Sequence, residues 1–118
     1  MNSIRGRVQR TFLEKGKKYL FASWEWILGQ LYLQIAAKTS SVSLSVSENH
    51  LKKAIEVAEE IGAKTVLGPA YLDLGLLRKT EGRVEEARKC ILDAIRISEE
   101  CDATGVLKQA KQALQDLG

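Results

Sequence analysis

One histidine (His50), one proline (Pro69) and two cysteines are all this chain of 118 residues offers of three structure-setting residue types. A lone histidine excludes the multi-histidine metal sites and leaves a catalytic triad with little to draw on. Cys90 and Cys101 stand 11 positions apart in one helical pattern, which at about 1.5 Å per residue separates them by roughly 16 Å, beyond the roughly 7 Å a disulfide allows. Two thiols that cannot pair suit a reducing compartment, where each serves as a small apolar filler. Residues 1–20 lack the unbroken apolar core of a secretory signal, and no stretch is long and uncharged enough to span a bilayer. The expected place is therefore the cytoplasm, with no membrane span.

Recognisable catalytic signatures are missing too. The sequence contains no phosphate-binding G-x-x-x-x-G-K-[ST], dinucleotide G-x-G-x-x-G, zinc-binding H-E-x-x-H or nucleophile-elbow G-x-S-x-G. Glu59-Glu60 and Glu99-Glu100 resemble paired catalytic carboxylates, but they recur at equivalent places near the wet ends of two amphipathic helices and read as solvated surface. His50, beside Lys52 and Lys53 at a helix start, is a surface histidine by the same logic. No enzyme activity and no cofactor are expected.

What is present is helix. With 45% apolar and 28% charged residues, the composition is that of one globular domain. Residues 19–37 are apolar on nearly every face, which predicts a helix packed on more than one side. Leu51, Ala54, Ile55, Ala58 and Ile61 form one stripe of an amphipathic helix, and Val84, Ala87, Ile91, Ala94 and Ile95 form another. Between these two, residues 66–78 again look sandwiched, with Asp73 the sole charge before Arg78 and Pro69 fitting only the first turn. Val106, Leu107, Ala110, Leu114 and Leu117 mark a short, more polar final helix suited to end a stack. Residues 39–47 alternate serine with Val42, Leu44 and Val46. No second strand exists to pair with this segment, so it is expected to be an ordered loop closed by a Ser45-x-x-Glu48 capping box or a Ser47 cap.

The net charge of +3 hides an asymmetry: residues 1–18 carry six Lys or Arg against Glu14. Such a start reads as a solvated helix end or the remnant of a preceding repeat helix. It can also contact nucleic acid or acidic lipid, or resemble an organellar transit peptide.

Shifted by 40 positions, residues 51–77 meet residues 91–117 with 10 identities: Ala54, Ile55, Glu59, Glu60, Ala63, Val66, Leu67, Ala70, Leu74 and Leu77 each find their own kind. A period of this length marks stacked helix pairs. The residues that carry it, Tyr71-x-x-Leu74-Gly75, Gly82, Ala87, Ile91 and Ala94, resemble the tetratricopeptide repeat family. Leu28-Gly29-x-x-Tyr32 with Ser47, Leu51 and Ala54 repeats the signature upstream, with six extra residues between its halves. Arg78 departs from the family pattern, which has an aromatic there, and no proline closes the repeat near Glu99.

The resemblance implies an all-α, short right-handed solenoid. Residues 1–18 would be the arm, 19–63 the first repeat with its loop at 39–47, 64–103 the second repeat and 104–117 a capping helix. The repeat region is also similar to the C-terminal helical arrays of bacterial multidomain signalling proteins, in which a nucleotide cyclase or an ATPase module lies outside the array. No cyclase metal-binding aspartate pair or phosphate loop can be matched here, so no catalytic residue is carried over.

The family lines its concave face with the first helix of each pair, which implies a groove for a peptide or helix. The positions are Trp26, Gln30 and Leu33, then Leu72, Leu76 and Lys79, then Gln109 and Gln112, with Trp26 and Leu76 as apolar anchors. The family's carboxylate clamp uses Lys and Asn where this sequence has Trp26, Gln30, Leu72 and Leu76, which argues against such a clamp. The expected function is a protein–protein interaction or scaffold module. Self-association through the apolar first helix is the companion reading, nucleic-acid contact through the arm the third.

Overall fold

The computed structural model describes the backbone of residues 2–38 and 42–118, and side chains of residues 13–38 and 43–118. Among these residues five helices follow in order: α1 (Asn2–Ala36), α2 (Val42–Ile61), α3 (Lys64–Thr80), α4 (Val84–Glu100) and α5 (Thr104–Asp116). Among the described residues there is no strand, and the chain is all-α.

Cross-helix contacts fix the directions. Lys18 meets Glu60, Glu25 meets His50, and the Ser47 hydroxyl donates to the Gly29 carbonyl at 2.6 Å, so α1 and α2 run antiparallel. Gly68 faces Ser98 and Gly75 faces Ile91, which makes α3 and α4 antiparallel as well. Tyr19 bonds Thr65 and Trp26 bonds Asp73, so α1 and α3 are parallel with an offset of 46 or 47 residues. Each helix packs on its chain neighbour; in addition α1 touches α3 and α3 touches α5. The odd-numbered helices therefore form one side of the molecule.

Glycine sets how closely the hairpins close. A Cβ on Gly29 would lie 2.6 Å from Leu51 Cγ, and one on Gly75 would lie 2.7 Å from Ile91 Cγ1 and 3.2 Å from the Ala87 carbonyl oxygen. Leu51 and Ile91 are repeat equivalents and neither is exposed, so both hairpins are locked by the same large-into-nothing contact. The core runs through Leu51, Ala54, Ala58, Val66, Ala70 and Leu77, and continues through Ile91, Ala94 and Ala110 towards α5. Leu74 and Ala87 are buried with them, while Leu28, Tyr32 and Tyr71 are half-buried.

The turns repeat every 20 residues. Gly62 (φ +69°), Gly82 (φ +79°) and Asp102 (φ +54°) each take the left-handed region. The next residue's N–H then bonds five positions back: Ala63 to Ala58, Arg83 to Arg78, and Ala103 to Ser98. This is the helix C-terminal closure that satisfies orphan carbonyls and reverses the chain.

Four expectations need correction. Residues 42–47 are not a loop: α2 begins at Val42, so Ser45 and Ser47 are helical and neither caps. Ser47 is instead fully buried, its hydroxyl satisfied across the hairpin by Gly29, which removes its reason to compete with helix. Residues 39–41 of the expected loop lie outside the described residues. Residues 2–18 are not a separate arm, since their backbone is the first half of α1. Pro69 sits inside α3 and not in its first turn. The preceding Gly68 lacks the Cβ that normally bars helical geometry before proline. Finally, α1 is not sandwiched. It packs on α2 and α3, yet Leu20, Trp24, Ile27 and Leu31 remain exposed because, among the described residues, no helix covers its outer side.

Candidate functional site

Parallel alignment of α1, α3 and α5, with α1 and α5 both on α3 but not on each other, leaves a cleft above α3 of about 900 Å³. From α1 it takes Gln30, Leu33, Gln34 and Ala37; from α3 Leu72, Asp73, Leu76, Lys79 and Thr80; from α5 Gly105, Lys108, Gln109, Gln112, Ala113 and Asp116. Its wall is mixed: leucine and alanine supply apolar surface, glutamines present paired donors and acceptors, and Lys79, Lys108 and Asp116 stand exposed at the edge. The size is at the upper end of cavities that hold a small ligand.

Seven of the eight residues marked from the sequence, Gln30, Leu33, Leu72, Leu76, Lys79, Gln109 and Gln112, line this one cleft. Trp26 does not, which corrects its reading as an apolar anchor. Half-buried, it packs against the core and donates its indole N–H to Asp73 Oδ2 at 2.7 Å. An indole carries one donor that a buried site must satisfy, and Asp73 satisfies it.

Asp73 is what the pattern search missed, although a single charge in the apolar run of α3 was the available signal. It is 6% exposed and lines the cleft, with Gln30 Nε2 also 3.5 Å from Oδ2. Burial pushes its carboxyl up from the ordinary 3.8 to about 6, while the Trp26 bond pulls the other way and loses.

Arg78, the departure from the family pattern, is the second unanticipated group. Only 7% exposed, its guanidinium reaches Glu48 of α2 at 2.6 Å, Glu81 at the end of α3 at 3.0 Å and Glu86 of α4 at 3.6 Å. Burial opposes the charge on Arg78, but Glu81 and Glu48 outweigh it and hold the guanidinium above its ordinary value. Burial likewise works against the charged form of Glu48, but Arg78 and Lys52 together hold its carboxyl below the usual range. This cluster ties three helices and lies off the cleft lining.

Of the two carboxylate pairs, Glu59, Glu60 and Glu100 are engaged in surface contacts. Glu59 accepts from the Tyr71 hydroxyl, Glu60 pairs with Lys18, and Glu100 pairs with Lys64 and Arg96. Burial and then Glu59 push the Tyr71 hydroxyl above its ordinary value. Cys90 and Cys101 are unpaired, with burial raising the Cys90 thiol. Among the described residues no group of three His, Cys, Asp or Glu could hold a metal ion, and no helix is long and apolar enough to cross a membrane. No protein-family profile matches the chain, and neither a curated protein nor a solved structure matches it.

Proposed function

We propose that this chain is a non-catalytic interaction module, a short right-handed stack of two tetratricopeptide-like hairpins with α5 as its cap, whose cleft between α1, α3 and α5 binds an amphipathic peptide segment. The observation that carries the reading is the convergence of Gln30, Leu33, Leu72, Leu76, Lys79, Gln109 and Gln112 on one cleft. These residues come from three helices that are distant in sequence, and the repeat pattern marked them without knowledge of the packing.

The lining suggests how a peptide would be held. Leu33, Leu72 and Leu76 receive an apolar anchor, the glutamines serve the peptide's backbone or polar side chains, and Asp73 offers an acceptor to a donor group. A buried carboxylate favours a cationic donor most strongly, because pairing offsets its desolvation.

The test is a selection from a displayed random-peptide library, followed by calorimetric titration of the winners. Leu76→Glu and Gln109→Asp are each expected to weaken binding at least about tenfold, or about 1.4 kcal/mol, with the helical circular dichroism of the wild type. Leu92→Glu, on the exposed side of α4 and outside the cleft, should leave affinity intact. Winners that bind Gln109→Asp and Leu76→Glu as tightly as the wild type would remove the cleft from the binding event.

A further inference from the structure

The outer face of α1 is a second surface, independent of the cleft. Leu13, Leu20, Trp24, Ile27 and Leu31 follow one another at intervals of seven, four, three and four, so they fall on one stripe of the helix. Leu13 is 62% exposed, Leu20 69% and Trp24 60%. An isolated exposed leucine is ordinary, but an aligned apolar stripe about 27 Å long marks an interaction surface.

We propose that this stripe is a homodimer interface, in which α1 of one copy packs antiparallel on α1 of a second about a two-fold axis that crosses the outer face of the helix at the height of Ala22, itself buried on the inner face. Three observations select a second copy as the occupant. First, four of the five stripe residues match on reversal, while Ile27 meets the stem of Lys17. Leu13 and Leu31 are each nine positions from Ala22, and Leu20 and Trp24 are each two. An antiparallel pair therefore sets Leu13 of one copy opposite Leu31 of the other, and Leu20 opposite Trp24, twice over. An isologous contact needs this self-complementarity.

Second, the area is sufficient. At about 150–250 Å² for a large aromatic side chain and somewhat less for leucine, the exposed fractions come to roughly 500 Å² per copy. Two copies would bury about 1,000 Å², the lower bound of a specific interface.

Third, charge chooses the direction. Residues 1–18 carry six Lys or Arg and one Glu. A parallel pair would lay these two basic ends side by side. The antiparallel pair sets their centres of charge about 30 Å apart, several screening lengths at physiological salt. It also places each near the C-terminal end of the other copy's α1, where the helix dipole favours cations.

Light scattering on the full chain behind a sizing column, across concentration and at low and high salt, tests the proposal. A mass of twice 13.1 kDa at micromolar concentration is expected, persisting at high salt because the contact is apolar. Trp24→Glu and Leu20→Glu should each raise the dissociation constant at least about a hundredfold. Both side chains lie mostly in water in the single chain, so both variants should keep their helical dichroism. Leu76→Glu in the cleft should remain dimeric, which separates this interface from peptide binding. Hydrogen exchange of the unmodified protein supplies a readout independent of mutation: protection within residues 13–31 should rise with concentration. A wild-type monomer at high concentration, or a dimer untouched by both stripe substitutions, overturns the proposal.

Discussion

The two hairpins close on the same contact and finish it with different chemistry. In α1/α2, Gly29 admits Leu51; in α3/α4, Gly75 admits Ile91. Around that shared contact the first hairpin uses aromatic and polar groups: Tyr32 stacks on His50 with ring centroids 5.7 Å apart, His50 meets Glu25, and Ser47 bonds the Gly29 carbonyl. At the position equivalent to Tyr32 the second hairpin has Arg78, which gathers Glu48, Glu81 and Glu86. Backbone proximity is thus the fixed requirement of the repeat, and the polar closure is free to vary. The hairpins differ also in cover. α3 lies between α1, α2, α4 and α5, and is buried along most of its length; α1 has neighbours on its inner side alone.

If the arginine cluster is a true substitute for the aromatic closure, removing it should cost far more than trimming its counterpart. Arg78→Met leaves Glu48 and Glu81 partly buried without their cation, and should destabilise by about 3 kcal/mol in urea unfolding. Tyr32→Leu, which keeps apolar contact at a half-buried position, should cost about 1 kcal/mol. Equal losses would mean that the two closures are energetically interchangeable.

The link between the hairpins sharpens the comparison through pH. Asp73 of α3 receives Trp26 of α1 and has a folded pKa of about 6 against 3.8 unfolded. The folded state therefore binds the proton more tightly. The penalty of a buried carboxylate is fully present above pH 6 and is relieved as pH falls towards 4. Asp73→Asn, which can still accept from Trp26, should be more stable than wild type by about 2 kcal/mol at pH 7.5, with the advantage shrinking to nothing near pH 4. A constant difference across that range would locate the effect elsewhere than in this carboxyl.

The smallest effect concerns the turns. Asp102 occupies the left-handed conformation that Gly62 and Gly82 occupy at the preceding turns. Asp102→Gly should stabilise by about 0.5–1 kcal/mol, and Gly82→Asp should lose a similar amount, read as opposite shifts in melting temperature. Two shifts of one sign would show that the turns are not equivalent.

Much of the helical layout was legible because periodicity reports one-sided burial directly. The stripes of α2 and α4, the 40-residue repeat and Gly75 could be read without coordinates. So could seven of the cleft's fifteen lining residues, since equivalent positions of parallel helices face the same way. Residues 42–47 were misread because alternation of serine with Val42, Leu44 and Val46 carries a strand signal. Only the opposite helix shows that Ser47 has a partner in Gly29. Trp26 was misplaced for a related reason: an aromatic on a largely apolar helix carries no mark of the face that will find its hydrogen-bond acceptor.

The sequence by itself determined that the chain is helical, where α2, α3, α4 and α5 take their apolar contacts, and which glycines let helices meet, because these follow from local spacing and side-chain size. Only the tertiary structure decided that Asp73 is the buried acceptor of Trp26, that Arg78 binds three carboxylates, and that one apolar face of α1 is left in water. Each of these depends on which helices lie side by side, and a buried charge or an uncovered stripe is defined by its neighbours in space.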